Sequence, residues 1–300
     1  MSRLGHPLAL LLAACVPAPG LEGYGGRALG EGDAGPATDC CACEAPDVAA
    51  PADLPTVRQD LSTWTCRPDG APQPVAFFDA DSTLRVSKSG SVTADYPGDV
   101  NILPFVARKI AELGELGYLV AVVSNQGGVG SGHQSYEDAE GALAFTVAQL
   151  GRLGARVHYF DFAEAYDEFR KPQPGMGARL DGMLTTRCGA GVDLARSLMI
   201  GDSAYKKNVD GPSPDGRPAD DFSSSDRLFA QSFGVWFAEP LDAFGWRAFG
   251  VTNIATEAEL YAFVDAIEAE ALRMDEARED PARALALHRE AAAIRGVNGL

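Results

Sequence analysis

Positive charge is scarce in this 300-residue chain: 25 Lys and Arg stand against 42 Asp and Glu, a formal net charge of −17. A surface of that sign does not hold a polyanion over its whole extent, so any nucleic-acid contact has to be confined to a local groove. Long apolar runs are missing as well. The nearest to one, Leu8 to Ala14, is too short to span a bilayer. No GxxxxGK[ST] loop occurs, which excludes P-loop phosphate binding, and there is no internal repeat. Cysteine is limited to six residues. What remains is an ordinary apolar content of 46%, enough over this length to bury one sizeable core.

The chain opens with Arg3 and His6, then the apolar run, then Cys15. That order fits an export signal over residues 1–15. Leu12-Ala13-Ala14-Cys15 resembles the bacterial lipobox, which predicts lipidation of Cys15, location in the cell envelope and membrane contact only through that anchor; a cytoplasmic protein is the alternative. Residues 16–71 are rich in Gly, Pro, Ala and Asp without periodicity and read as a flexible linker. In an exported protein Cys40, Cys41, Cys43 and Cys66 are expected to form two disulfides of open pairing, a metal knuckle of poor spacing being the alternative, and Cys188 is left as a small, buried, unpaired residue.

From residue 72 the pattern becomes regular. Apolar strands at Val75–Asp79, Tyr118–Val123, Arg156–Phe160, Ser197–Ile200 and Val235–Phe237 alternate with helical stretches at Pro104–Leu116, Tyr136–Leu153, Met176–Thr186 and Asp226–Phe233. Alternation of this kind predicts an α/β fold, a three-layer Rossmannoid parallel sheet with helices on both faces, over residues 72–250. Residues 251–300 read as a helical appendage, two helices broken near Asp280-Pro281, without chemistry of its own.

Active sites in such sheets gather at the carboxyl ends of the strands. Asp79 and Asp81 end the first strand, two apart and on one face; Ser124 ends the second and Asp202 the fourth. Together with Lys171 they form a set suited to phosphoryl transfer. Asp79 would attack phosphorus and Asp81 would carry the proton to the leaving oxygen and from water. Ser124 would donate to the phosphoryl group and Lys171 would neutralise it. Asp79, the Asp81 carbonyl and Asp202 would hold Mg²⁺ through oxygen alone. Singly, each could be a turn, a loop or a helix cap.

Asp79-Ala80-Asp81-Ser82-Thr83, Ser124, Lys171 and Gly201-Asp202 are similar to the four ordered motifs of the haloacid dehalogenase superfamily of phosphotransferases. Within it the chain most resembles the 3′-phosphatase domain of polynucleotide kinase/phosphatase. That likeness rests on residues 79–110, Ser124 to Gly130, Arg170-Lys171-Pro172 with Gly175-Met176, and Asp221-Phe222-Ser223-Ser224-Ser225-Asp226-Arg227-Leu228-Phe229-Ala230. The resemblance implies little or no cap domain and Mg²⁺-dependent removal of phosphate from a nucleic-acid 3′ end. It also implies substrate contacts from Thr83, Lys88, Asn125, Gln126, Arg170 and Arg227. The kinase half has no counterpart here, so 5′-phosphorylation is not expected.

The chain departs from that family where DNA would be held. Ser82 replaces a usual Gly, Ser131 a basic residue, and Asp215, Asp220 and Asp221 stand where lysines are common. Arg85, Lys88, Lys206 and Lys207 are the candidate replacements. A phosphatase of small esters, of the histidinol-phosphate or heptose-bisphosphate kind, is the competing reading. Its relatives often carry a Cys/His zinc loop, whereas His158 to Arg170 contains one histidine and no cysteine. A non-catalytic, surface-tethered module is the third.

Overall fold

A computed structural model describes residues 56–299 of the chain. Residues 1–55 lie outside the described part, and with them the signal segment, Cys15, Cys40, Cys41 and Cys43. No helix among the described residues is long and apolar enough to cross a membrane.

Five strands form a parallel sheet: β1 (Val75–Phe78), β4 (Leu119–Asn125), β5 (Tyr159–Ala163), β6 (Leu198–Ile200) and β7 (Trp236–Ala238), in the order β5-β4-β1-β6-β7. All four residues of β1 are buried, as a strand covered on both faces requires. Val75 and Phe77 join a core cluster with Met176, Leu180 and Leu184 of α3 (Gly175–Cys188) and Phe229 of α4 (Ser225–Phe233). Phe78 points to the other face and stacks on Phe244, while Tyr136, which opens α2 (Tyr136–Arg152), tilts against Phe162 of β5. On that side α1 (Val106–Glu115) buries Val106, Ile110 and Leu113. The chain runs from β1 towards β5 on one side and through β6 to β7 on the other. The crevice therefore opens at the carboxyl ends of β1 and β6, where the winding reverses.

Four local readings change. The third strand lies at Tyr159–Ala163 rather than Arg156–Phe160, because Asp161 does not end it: the carboxylate is fully buried and paired with Arg58 and Arg179. A small antiparallel flap, β2 (Arg85–Ser87) with β3 (Val100–Ile102), occupies what reads as polar loop; three-residue strands are too short to show a period. Residues 56–71 are not linker. Gln59 N–H donates to Phe160 O, Arg58 lies 3.8 Å over the Phe162 ring, and Leu61 is buried. This strap covers the open edge of β5, a task that protects strand edges and needs no periodicity.

The fourth correction concerns cysteine. Cys66 pairs with Cys188, at a Cα–Cα distance of 5.4 Å, so Cys188 is half-buried and bonded, and Cys66 is not a partner for the upstream cysteines. The bridge ties the strap to the end of α3 across 122 residues. Replacing Cys188 with Ser is expected to cost about 3 kcal/mol of stability. Equal denaturation midpoints for the variant and the oxidised wild type would show that the strap holds without it.

Beside the bridge, Trp64 packs edge-on to His158, whose Nδ1 accepts the Val120 N–H. Burial, aided by Arg156, lowers the His158 pKa to about 4 from its usual 6.5. Between those values the unfolded chain binds the proton and the folded one does not. Stability is therefore full above pH 6.5 and falls as pH drops towards 4, by about 3 kcal/mol at most. His158→Asn, which keeps an acceptor for Val120, should flatten that slope in pH-dependent melts; an unchanged slope would assign it to another group.

The C-terminal residues form two helices, α5 (Glu257–Ala277) and α6 (Pro281–Asn298), and they are docked on the domain. The Asn298 side chain accepts from Ile102 N–H and donates to Ile102 O, and Glu290 accepts the Phe105 N–H. A Thr256–Glu259 capping box starts α5. Just before it, Ile254 plugs into the core and leaves Thr252, Asn253, Ala255 and Thr256 facing the crevice.

Candidate active site

The crevice at the ends of β1 and β6 is a cleft of about 930 Å³, and Asp79, Asp81, Ser124, Asn125, Arg170, Lys171 and Asp202 all line it. Asp79 directly follows β1, and its N–H donates to Ile200 O, which extends the ladder to the catalytic end. Lys171 is 98% covered, with Nζ 2.5 Å from Asp79 Oδ1 and 2.7 Å from Asp226 Oδ1. Asn125 fixes the Lys171 backbone from both sides, donating to its carbonyl and accepting its N–H at 2.9 Å each.

Asp226 is a site residue that sequence reasoning missed. It sits in the first turn of α4, where the helix dipole favours a carboxylate, and its Oδ2 accepts the Ser203 N–H. A side chain at Gly201 would collide with it, which explains glycine before Asp202. The clue lay within the segment Asp221 to Arg227, but helix starts carry carboxylates for structural reasons too, and only strand ends mark the crevice.

Oxygens of Asp79, Asp202 and Asp226 lie within 4.8 Å of one another. Burial first, then Asp226 and Asp81, raise Asp79 to about 7 against the opposing pull of Lys171. Asp202, deep in the cleft though not fully covered, is pushed well above the carboxylate range by its low-polarity surroundings and by Asp79 and Asp226. Burial opposes the charge on Lys171, but Asp226 and Asp79 outweigh it and raise its pKa. Among the described residues one cation, Lys171, faces three carboxylates, all oxygen donors, and the excess negative charge fits a hard divalent ion. The carboxylate of Asp81 stands outside that trio. It takes hydrogen bonds from Arg85 Nε at 2.9 Å, Gln126 Nε2 at 3.0 Å and Ala94 N at 3.3 Å.

Several residues expected at the substrate are elsewhere. Thr83 is buried and accepts the Asp202 N–H, so it shapes the loop that carries Asp202. Gln126 is also buried and bridges Asp81 and Ser124. Lys88 points away from the cleft and donates to the Asn298 carbonyl at the end of α6. Arg227 holds the Ala204 carbonyl and Asp210. Arg85 is fully buried against Asp81 and Thr146, and Lys206 and Lys207 do not line the cleft, so none replaces the missing basic residues. Ser82 adopts φ +57°, a left-handed geometry that accounts for the glycine usual in the similar family.

The cleft wall beyond the carboxylates is acidic, formed by Asp220, Asp221 and Glu239. Its Arg217 is tied to Asp215 and Glu239. The C-terminal segment, read as having no chemistry, supplies the neutral wall of Thr252, Asn253, Ala255 and Thr256.

Residues 74–244 match the family described as polynucleotide kinase 3 phosphatase. An uncharacterised 20.8 kDa protein of Autographa californica nuclear polyhedrosis virus is 32% identical over 186 residues, 62% of this chain and 93% of the viral protein. The D-glycero-beta-D-manno-heptose-1,7-bisphosphate 7-phosphatase of Rhodopseudomonas palustris is 32% identical over 143 residues, 44% of this chain and 74% of that enzyme. Among solved structures, D,D-heptose 1,7-bisphosphate phosphatase from B. bronchiseptica, complexed with magnesium and phosphate, aligns at 20% identity with a TM-score of 0.41. That alignment covers 59% of this chain and 99% of the other. With its parallel sheet and its four motifs gathered at one crevice, the chain belongs to the polynucleotide kinase 3 phosphatase family, within the haloacid dehalogenase superfamily of phosphatases.

Proposed function

We propose that this protein is a Mg²⁺-dependent phosphomonoesterase that works through an aspartyl-phosphate on Asp79 and removes the 3′-phosphate from nucleic-acid ends. The observation that carries the chemistry is Asp79 at the floor of the cleft, against Lys171 and beside Asp202 and Asp226. An Asp79 carboxylate oxygen bonds to phosphorus as the ester P–O bond breaks, and the leaving oxygen takes a proton from Asp81. Water then attacks phosphorus, Asp81 takes its proton, and Asp79 is released with inorganic phosphate, so both aspartates are restored. Ser124 and Lys171 face the phosphoryl oxygens and offset their charge. Asp79, Asp202 and Asp226 would hold Mg²⁺, which supplies further charge neutralisation when bound. Arg85 and Gln126 fix the orientation of the Asp81 carboxyl.

The family match supports the 3′-end substrate. A small phosphomonoester is the second reading, favoured by the acidic wall and by the heptose-bisphosphate phosphatase relatives. Export is part of the proposal as well: the Cys66–Cys188 bridge is of a kind that persists in oxidising compartments.

Phosphate release is to be measured from matched 3′- and 5′-phosphorylated oligonucleotides and from sugar phosphates, with Mg²⁺ and with chelator. The 3′-phosphate should be preferred and release should need the metal. Preference for sugar phosphates would select the second reading, and release unaffected by chelation would remove the metal.

A further inference from the structure

Among the described residues, the most exposed large hydrophobic side chains are Tyr166 and Phe222, each 87% exposed, and Val92 at 79%. All three line the active-site cleft. Exposed apolar groups scattered singly are ordinary, but the extremes gathered at one mouth mark a binding surface. We propose that this cleft recognises a 3′-phosphorylated nucleotide by stacking its base on Tyr166, and that it scarcely holds the backbone of the strand beyond. The proposal rests on the phosphatase reading above and adds how the leaving group is chosen.

Tyr166 is prepared on one side. The Arg170 guanidinium lies 4.2 Å from its ring centroid, and Arg170 is itself packed against Gly127, where an added Cβ would come within 2.9 Å of Nη1. The cation therefore backs a ring whose remaining surface is open to the cleft. A planar base laid there completes a stack of guanidinium, phenol and base, an arrangement that accepts any base because each has a π-face. A sugar without a base gains none of this.

The backbone has the opposite prospect. Lys171 is engaged by Asp79 and Asp226, and Arg217 by Asp215 and Glu239, whereas Arg170, which backs Tyr166, keeps its Nη1 without a hydrogen-bond partner. Beside them stand Asp220 and Asp221. Apart from Arg170, a second phosphate entering the cleft meets carboxylates, so added nucleotides bring little attraction and little counterion release.

Three substrates separate the terms: a deoxynucleoside 3′-monophosphate, a short 3′-phosphorylated oligonucleotide, and the abasic methyl deoxyriboside 3-phosphate. The first two should agree in kcat/KM within about threefold, and keep that agreement between about 50 and 200 mM salt. The abasic ester should be poorer by about 10- to 100-fold. Tyr166→Ala should lower the base-bearing substrates at least about tenfold more than the abasic one, while Tyr166→Trp restores the difference. Equal losses on all three, or an oligonucleotide favoured more than about tenfold with a steep salt dependence, would overturn the proposal.

Binding of the same monophosphate and abasic ester to the Asp79→Asn variant, by calorimetry with Mg²⁺, keeps the two readings apart. Base-dependent binding without Asp79-dependent turnover in the wild type would retain the platform and remove the phosphatase. Turnover with base-independent binding would retain the phosphatase and remove the platform.

Discussion

Asp79→Asn is expected to lower phosphate release by on the order of 10⁴-fold or more while the protein stays folded. The amide nearly matches the carboxylate in size but is too weak a nucleophile to form the acyl phosphate. Folding should tolerate the change for a reason visible in the site. Asp79 is one of three clustered carboxylates, and burial with its acidic neighbours already drives its pKa up to about 7. Removing its charge takes away repulsion with Asp226 and Asp202 as well as attraction to Lys171, which keeps Asp226 at 2.7 Å. Stability should move by no more than about 1 kcal/mol. Two measurements check this: steady-state release on the preferred substrate, and acid-quenched capture of labelled phosphate on the protein. A variant that kept a tenth of wild-type turnover, or still trapped label, would assign the nucleophile elsewhere. Loss of activity with collapse of the fold would make Asp79 structural instead.

Much of this site is legible in the sequence, because two simple rules locate it. Alternation of apolar runs with helical periods dictates a parallel sheet, and strand ends then select Asp79, Ser124 and Asp202 out of many polar residues. The rest depends on contacts no local pattern announces. Asp226 starts a helix, a place where an acid is unremarkable, and becomes a site residue only because Gly201 lets it approach. Cys66 and Cys188 are brought together by the strap crossing the edge of β5, and composition alone makes that strap look like linker. Thr83, Gln126 and Arg227 belong to motif segments, yet they hold the loops rather than the substrate. A motif records what a site needs in total and does not separate contact from support. The exposed Tyr166 lay in an unpatterned loop, where an aromatic ring has no periodic partner to explain it.

Lys171→Met tests how the site tolerates its own charge. Among the described residues Lys171 is the one cation paired with both Asp79 and Asp226, and it is almost wholly covered. Removing a single partner from a buried ion pair leaves uncompensated charge, at a cost of about 4 kcal/mol, more than the pair itself contributes. Without Lys171 the Asp79 carboxyl is expected to titrate still higher in the folded state than in the unfolded one. Groups raised in this way destabilise the fold as pH climbs above the unfolded value near 3.8, so the variant should regain stability as pH falls. Mg²⁺ should restore part of the loss at neutral pH, since an ion that binds only the folded chain stabilises it by mass action. Activity should fall by about 10²- to 10³-fold even when the metal is present, because Lys171 is also proposed to offset the charge of the phosphoryl oxygens. Adding Asp226→Asn removes one of the stranded charges, so the double variant should be more stable than Lys171→Met alone, by about 2 kcal/mol in a double-mutant cycle. Denaturant titrations of the four proteins at two pH values, with and without Mg²⁺, supply every term. If Lys171→Met lost less than about 1 kcal/mol at neutral pH without metal, Asp79 and Asp202 would have to be held largely protonated in the resting enzyme. Lys171 would then belong to catalysis alone.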